Sequence, residues 1–256
     1  NDITHVEGKI DPISDINIIE TELILSDIEN IEKRKSKIEK KFKSGEKQFR
    51  NEYLLLEKCY DNLNNGNLLS NIILEEDEKV IFKNFNLLTA KKILFACNVD
   101  ENSLKEGNHY SNRVKELAKK REASIVLVSA EIESEINQME SSLEKEQFLK
   151  ELGMDNFGLN RLIKAGYDLL DLITFFTVGE KETRAWTIKK GSLAPQAAGK
   201  IHSDFEKGFI RSETISYDDY IEFKNETKLR EAGKVRSEGK NYLVKDGDVL
   251  NFLFNT

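Results

Sequence analysis

Asn98-Val99-Asp100-Glu101 stands at the end of one short apolar run, and Ser129-Ala130 stands at the end of another. An asparagine carboxamide carries one acceptor and two donors. Asn98 can therefore pair with the N7 and N6 edge of adenine, as asparagine does in DNA grooves. Backbone groups of Val99, Ser129 and Ala130 can fix the plane of a ring held beside it. A polar residue at a strand end also serves commonly as a cap or turn former, and both readings stand at this point.

Domains that bind GTP place Asn-Lys-x-Asp at such a strand end, where the Asp accepts from guanine's ring and exocyclic nitrogens. Here the lysine is absent and the longer Glu101 replaces the Asp. Both changes weaken guanine readout. A good bidentate pair discriminates by roughly 1–3 kcal/mol, so adenine is the expected base without being dictated. Phosphate binding needs a different motif, G-x-x-x-x-G-K-[ST], whose amides cradle the phosphates and whose hydroxyl holds Mg²⁺. Pairs such as Gly8-Lys9, Gly199-Lys200 and Gly239-Lys240 lack the following Ser or Thr and the earlier Gly. The chain has no such loop, and hydrolysis by this segment alone is not expected.

The elements that must position these residues follow from periodicity. Ile93–Val99 and Ser124–Ala130 are apolar, β-branched runs separated by a helical stretch from Asn112 to about Lys120. Strand, helix and strand make a βαβ unit, so the two strands are predicted parallel and covered on both faces. Their carboxyl ends then open on one crevice, where α/β domains bind ligands. Helical periodicity continues over Glu131–Leu152 and Leu159–Leu170. Upstream, Ile24, Ile28, Ile31, Ile38 and Phe42 recur at helical spacing, as do Phe49, Tyr53, Leu56, Tyr60 and Leu63. Ser44-Gly45 separates the two runs and Asn64-Asn65-Gly66 ends the second, so an antiparallel helical hairpin with its own seam is predicted.

After Asp171 the texture changes. Leu172–Val178 and Thr183–Ile188 read as a hairpin joined through Gly179-Glu180, and Pro195–Phe205 as a helix. Phe209–Tyr217 and Val249–Phe254 read as further strands, the last after an Asp246-Gly247-Asp248 turn. This is the β-grasp pattern. Ala197, Ala198, Ile201 and Phe205 share a helical face and are predicted core, as is Trp186. Lys200, His202, Lys207 and Arg211 are the better candidates for a surface that meets RNA or protein.

The bulk numbers set limits. The 256 residues suffice for two modest cores, and 39% hydrophobic content with two prolines excludes a disordered or collagen-like chain. A formal charge of −7 argues against a generic cationic nucleic-acid binder. The acidity belongs to the first 170 residues, because charge balances beyond them. Cys59 and Cys97 give neither a disulfide framework nor metal-ligand spacing, and the three histidines are scattered, so no metal site is expected. Cys97, inside a predicted strand, reads as an inert packed thiol. No apolar run is long enough to span a membrane and no signal peptide opens the chain, so a reducing cytoplasm is expected. The start at Asn1 without methionine suggests a piece of something longer.

The segments Asp2–Pro12, Asn98-Val99-Asp100-Glu101, Gly158-Leu159-Asn160-Arg161, Arg184–Ile188, Ala194–Arg211 and Val244–Asp248 resemble the YchF/Obg-like ATPase family across essentially the whole chain. The resemblance implies an α/β fold in three parts. Residues 1–16 and 67–168 would be the later portion of an Obg-type G domain, a partial P-loop NTPase. Residues 17–66 would be an inserted coiled-coil hairpin, and 171–254 a β-grasp TGS domain. It implies an ATP-preferring, ribosome-associated regulatory ATPase whose P-loop and Mg²⁺ ligands lie upstream of Asn1. Asn98 would then read adenine, Val99 would meet the base through its backbone, Glu101 would disfavour guanine, and Ser129-Ala130 would form the later base-contacting loop. The alternatives are a GTPase, or a non-catalytic module that binds RNA, ribosome or protein through the hairpin and the TGS domain.

Overall fold

The computed structural model describes residues 10–45, 47–154, 156–179 and 182–255. The chain divides into two compact units, Asn1–Leu162 and Ile163–Thr256. Most of the Asp2–Pro12 segment, Gly8-Lys9 and Glu180 lie outside the described residues.

The first unit opens with α1, Pro12–Lys43. Asp11 accepts from the amides of Ile13 and Ser14, Pro12 occupies the first turn, and Lys40, Lys41 and Lys43 occupy the last. Helix α2, Lys47–Asn64, returns antiparallel to it. Phe42 stacks on Tyr53 at 4.3 Å, Arg34 pairs with Glu52 at 2.7 Å, and Tyr60 donates to Glu32 at 3.2 Å. Ile31, Ile38, Leu56 and Leu63 are buried in the seam as the periodicity predicts, with Leu55 and Cys59 beside them. Gly66, at φ +76°, takes the left-handed conformation that ends α2.

The next segment was not read from periodicity. A 3₁₀ turn at Leu69–Asn71 leads to α3, Glu76–Lys83, and then to Phe85 and Leu87. Leu69, Phe85 and Leu87 are buried in the hairpin's own cluster. Asp27, fully buried on α1, fixes this return: its carboxylate accepts from Leu88 N at 2.9 Å and from Thr89 N and Oγ1 at 2.7 Å each.

Strand β1, Leu94–Asn98, helix α4, His109–Lys120, and strand β2, Ser124–Val128, form the predicted βαβ unit. The strands are parallel, with Asn98 opposite Val128. The expectation that both faces are covered is corrected. Val126 alone among the strand residues is buried, while Ala96 and Asn98 are exposed. Two strands under a single crossover helix leave edges and part of each face uncovered among the described residues. The long helix expected over Glu131–Leu152 is two, α5, Ala130–Gln138, and α6, Ser142–Glu151, parted where Met139 turns extended. Helix α7, Gly158–Leu169, follows.

The second unit is built on five strands: β3, Leu172–Val178; β4, Thr183–Lys189; β5, Phe209–Ile215; β6, Arg236–Glu238; and β7, Val249–Phe254. They form one sheet in the order β4-β3-β7-β5-β6. β3 runs parallel to β7 and the other pairs are antiparallel. Helix α8, Ala194–Ile201, lies in the sheet's grasp, with Ala197 and Ala198 fully buried against Phe175 and Leu250. The single helix expected over Pro195–Phe205 breaks at His202, whose extended backbone caps a second helix, α9, Ser203–Lys207. Two short helices, α10, Tyr217–Phe223, and α11, Glu226–Glu231, lie between β5 and β6. No helix among the described residues is long and apolar enough to cross a membrane.

Candidate functional site

The parallel register of β1 and β2 brings the two strand ends side by side. Asn98 closes β1, and beyond β2 Ser129 caps α5, its hydroxyl accepting from Ile132 N at 3.5 Å. Asn98 Oδ1 accepts from Ala130 N at 2.9 Å, a bond between residues 32 apart in the chain. Val99 N donates to Val128 O at 2.8 Å, extending the ladder one step past the strands.

These bonds alter what each residue can offer a ligand. The N–H groups of Val99 and Ala130 are already spent, and Ser129 is buried. Asn98 keeps both Nδ2 donors and the second lone pair of its carbonyl oxygen. Its ring-facing chemistry is thus donor-weighted, which suits an acceptor nitrogen such as N7 of a purine. Glu101 begins a 3₁₀ turn, Glu101–Ser103, and its carboxylate is exposed. Asp100, between them, is occupied in holding that turn: it accepts from Ser103 N at 3.1 Å and from Ser103 Oγ at 3.0 Å. Asn98, Glu101 and Ala130 are therefore brought to one solvent-open end of the unit. Val99 sits beneath them in a small core with Leu104, Ile132 and Ile136.

Two supports of this end went unread. Gly158 N donates to Glu133 Oε1 at 2.6 Å, docking the first turn of α7 on α5. A Cβ on Gly158 would lie 2.8 Å from Glu133 Oε1 and 3.3 Å from Val128 Cγ1, so a larger residue would press on both neighbours. One turn later Arg161 donates to Leu127 O at 3.0 Å and caps the outer edge of β2. The Gly158-Leu159-Asn160-Arg161 string carried the signal, but nothing in its spacing says what it grips.

Cys97 is half-buried beside this core, and burial raises its thiol above the usual range. That agrees with an inert packed thiol. Among the described residues no cluster of His, Cys, Asp or Glu is placed to hold a metal ion, so no step through Mg²⁺ is assigned to them.

In the second unit Lys200, His202, Lys207 and Arg211 are all exposed. His202 Nδ1 accepts from Asp204 N at 3.2 Å, an ordinary capping role, and Arg211 donates to Ser237 Oγ at 3.3 Å. Trp186 is half-buried and packs against the core cluster as expected; it also donates to Thr177 Oγ1 at 2.9 Å and carries the Arg184 guanidinium 4.2 Å above its ring.

A parallel βαβ unit ending in Asn-x-x-Glu and Ser-Ala, accompanied by a helical hairpin and a β-grasp sheet, is the build of the Obg-type α/β class. The family model of the YchF GTPase C-terminal region, described as a protein of unknown function (DUF933), matches residues 172–255. The "Ribosome-binding ATPase YchF" of Escherichia coli O157:H7 is 48% identical over 255 residues, covering 100% of this chain and 70% of the relative. The protein of the same name from Bacillus subtilis is 46% identical over 257 residues, with the same two coverages. The structure of the Schizosaccharomyces pombe YchF GTPase superposes with a TM-score of 0.82 at 33% identity, over 98% of this chain and 68% of that one. The chain belongs to the YchF family.

Proposed function

We propose that Asn98, Val99, Glu101, Ser129 and Ala130 form the base-reading end of an ATP site in a cytoplasmic ATPase that acts on the ribosome. The observation that carries this is the Asn98–Ala130 bond, which locks the carboxamide across both strand ends and leaves its donors facing solvent. Asn98 Nδ2 donates to adenine N7. Glu101 disfavours guanine by reaching past the position from which a shorter Asp would accept. Val99 and Ser129 act chiefly by shaping the floor, since their polar groups are engaged within the fold. The relatives' names support an ATPase and a ribosomal partner, and the Schizosaccharomyces pombe neighbour is named a GTPase. ATP's phosphates and Mg²⁺ call for a glycine-rich loop that this sequence does not contain, so the chain alone is expected to be inactive in hydrolysis.

Equilibrium binding of ATP and GTP to the protein joined to its phosphate-binding loop tests the assignment. ATP is expected to bind more tightly, and Asn98→Ala to weaken it by about tenfold. A clear GTP preference, or unchanged ATP affinity in the variant, sinks it.

A second reading has its own observation. Lys200, His202, Lys207 and Arg211 present exposed basic or titratable groups that form no ion pair among the described residues, apart from the His202–Asp204 contact. They would give the β-grasp unit a surface for RNA or a ribosomal protein. Co-sedimentation of this chain with ribosomes, without nucleotide, is the expected result; loss of binding unless ATP and the loop are restored would favour the nucleotide switch alone.

A further inference from the structure

A cavity of ≈ 240 Å³ lies beside β2 in the first unit, and neither Asn98 nor Ala130 is among its lining residues. Lys105, Asn112, Lys115 and Arg161 line it, with Glu106 as the one carboxylate. Charge is therefore unbalanced toward the positive. Among the described residues, Lys105, Lys115 and Arg161 form no ion pair with any carboxylate.

Arg161 gives the sharper sign. Its guanidinium is anchored by one bond to Leu127 O at 3.0 Å, yet its Nε is buried with no partner among the described residues. A buried N–H left unmade loses its hydration without compensation. Such a group in a native fold calls for an explanation, whether strain, a chemical role, or a water or ion bound there. Gly158 and Glu133 hold the first turn of α7 and so fix where Arg161 stands, which makes the position a built one. Lys105 is constrained too: a Cβ on Gly153 would collide with its Nζ, so the ammonium lies tight against that backbone.

We propose that this cavity binds a phosphoryl dianion. A guanidinium fork with two ammonium groups suits a tetrahedral oxyanion, since Arg supplies directed donors and Lys compact charge. The Asn112 carboxamide adds a neutral donor for a further oxygen. At ≈ 240 Å³ the cavity admits a phosphate with its nearest waters. The lining residues Ile125, Val126 and Leu127 lie within β2, and none of the base-reading residues lines the cavity. This site does not depend on the adenine assignment.

The test titrates inorganic phosphate, and separately phosphoserine, into this chain without nucleotide, following amide resonances by NMR. Saturable shifts are expected at Lys105, Asn112 and Lys115, with sulfate competing and chloride at equal ionic strength not competing. Lys105→Gln with Lys115→Gln is expected to weaken binding at least about tenfold, two charge-assisted bonds being lost. Arg161→Gln is expected to abolish it; because that change also removes the Leu127 bond, the exposed lysine pair serves as the variant that keeps the fold. Tighter binding of phosphoserine assigns the ligand to phosphate esters, and equal binding assigns it to the free ion. Absence of saturable shifts, shifts confined to Asn98 and Ala130, or full affinity in the double lysine variant overturns the proposal.

Discussion

Asp27 and Asn98 perform the same mechanical task in two regions of the first unit. Asp27 uses its two carboxylate oxygens to grip Leu88 N and Thr89 N far along the chain, and Asn98 uses its one carbonyl oxygen to grip Ala130 N. Their surroundings differ. Asp27 is 0% exposed and its carboxylate is consumed by three donors, so nothing remains for a ligand. Asn98 is exposed and retains both amide donors. A buried clamp closes a core, whereas an open clamp holds a polar group in place and leaves part of it unused. That contrast separates a structural polar residue from a candidate binding one more sharply than residue type does.

The contrast predicts unequal costs. Asp27→Ala strands two backbone donors and a hydroxyl beneath the hairpin, and hydrogen bonds to charged groups contribute roughly 1.5–3 kcal/mol. A loss of that size in chemical denaturation followed by helical circular dichroism is expected. A cost near zero would mean that water replaces the carboxylate and that the two clamps are alike.

Gly158→Ala comes next. The added methyl meets Glu133 Oε1 at 2.8 Å and Val128 Cγ1 at 3.3 Å, so the side chain must yield or α7 must shift. Overpacking of this kind costs about 1–3 kcal/mol, and the flexible carboxylate places the expected value near the lower end. Amide exchange at Gly158 and Arg161 should quicken. Unchanged protection would show that the Gly158–Glu133 contact does not support the strand end.

Asn98→Ala should cost less than about 1 kcal/mol, since water can reach the Ala130 amide that it uncovers. A small stability loss beside a large loss of nucleotide affinity would separate the binding role from the structural one. A loss as large as that of Asp27→Ala would erase the distinction.

Much of this arrangement was legible in the sequence. The seam of α1 and α2 followed from apolar residues at helical spacing, and β3 and β7 from apolar runs between turn signals. Asn98 and Ser129-Ala130 were identified because two strand ends in a parallel unit must share a crevice. Short elements were not legible. β6 is Arg-Ser-Glu and has no apolar alternation; α3, α10 and α11 are too brief to show a period, although Ser216 and Asn225 cap the last two. The breaks at Met139 and His202 follow from single residues turning extended within otherwise helical patterns. Long-range grips such as Asp27–Thr89, Glu133–Gly158 and Arg161–Leu127 leave no local trace, because they depend on where distant backbone lies after folding.

Protonation gives the finest separation of the two regions. Near the hairpin, Glu78 accepts from Lys58 Nζ at 2.8 Å and from Glu75 N at 2.9 Å, completing the capping box of α3. The Lys58 bond, then the Glu75 amide, holds its carboxyl below the usual glutamate range. A depressed folded-state pKa means that the unfolded chain binds the proton more readily. The stabilisation is therefore complete above the unfolded value of about 4.3 and is lost as pH falls through the lower folded value. Both partners are partly exposed, so the effect is small. The stability difference between the parent chain and Glu78→Gln should be constant from neutral pH to about 5 and shrink below about 4. The difference for Asn98→Ala should stay flat over that range, because an amide does not titrate there. A pH-dependent difference at Asn98 would instead couple the open clamp to a nearby carboxylate, with exposed Glu101 the first group to replace in turn.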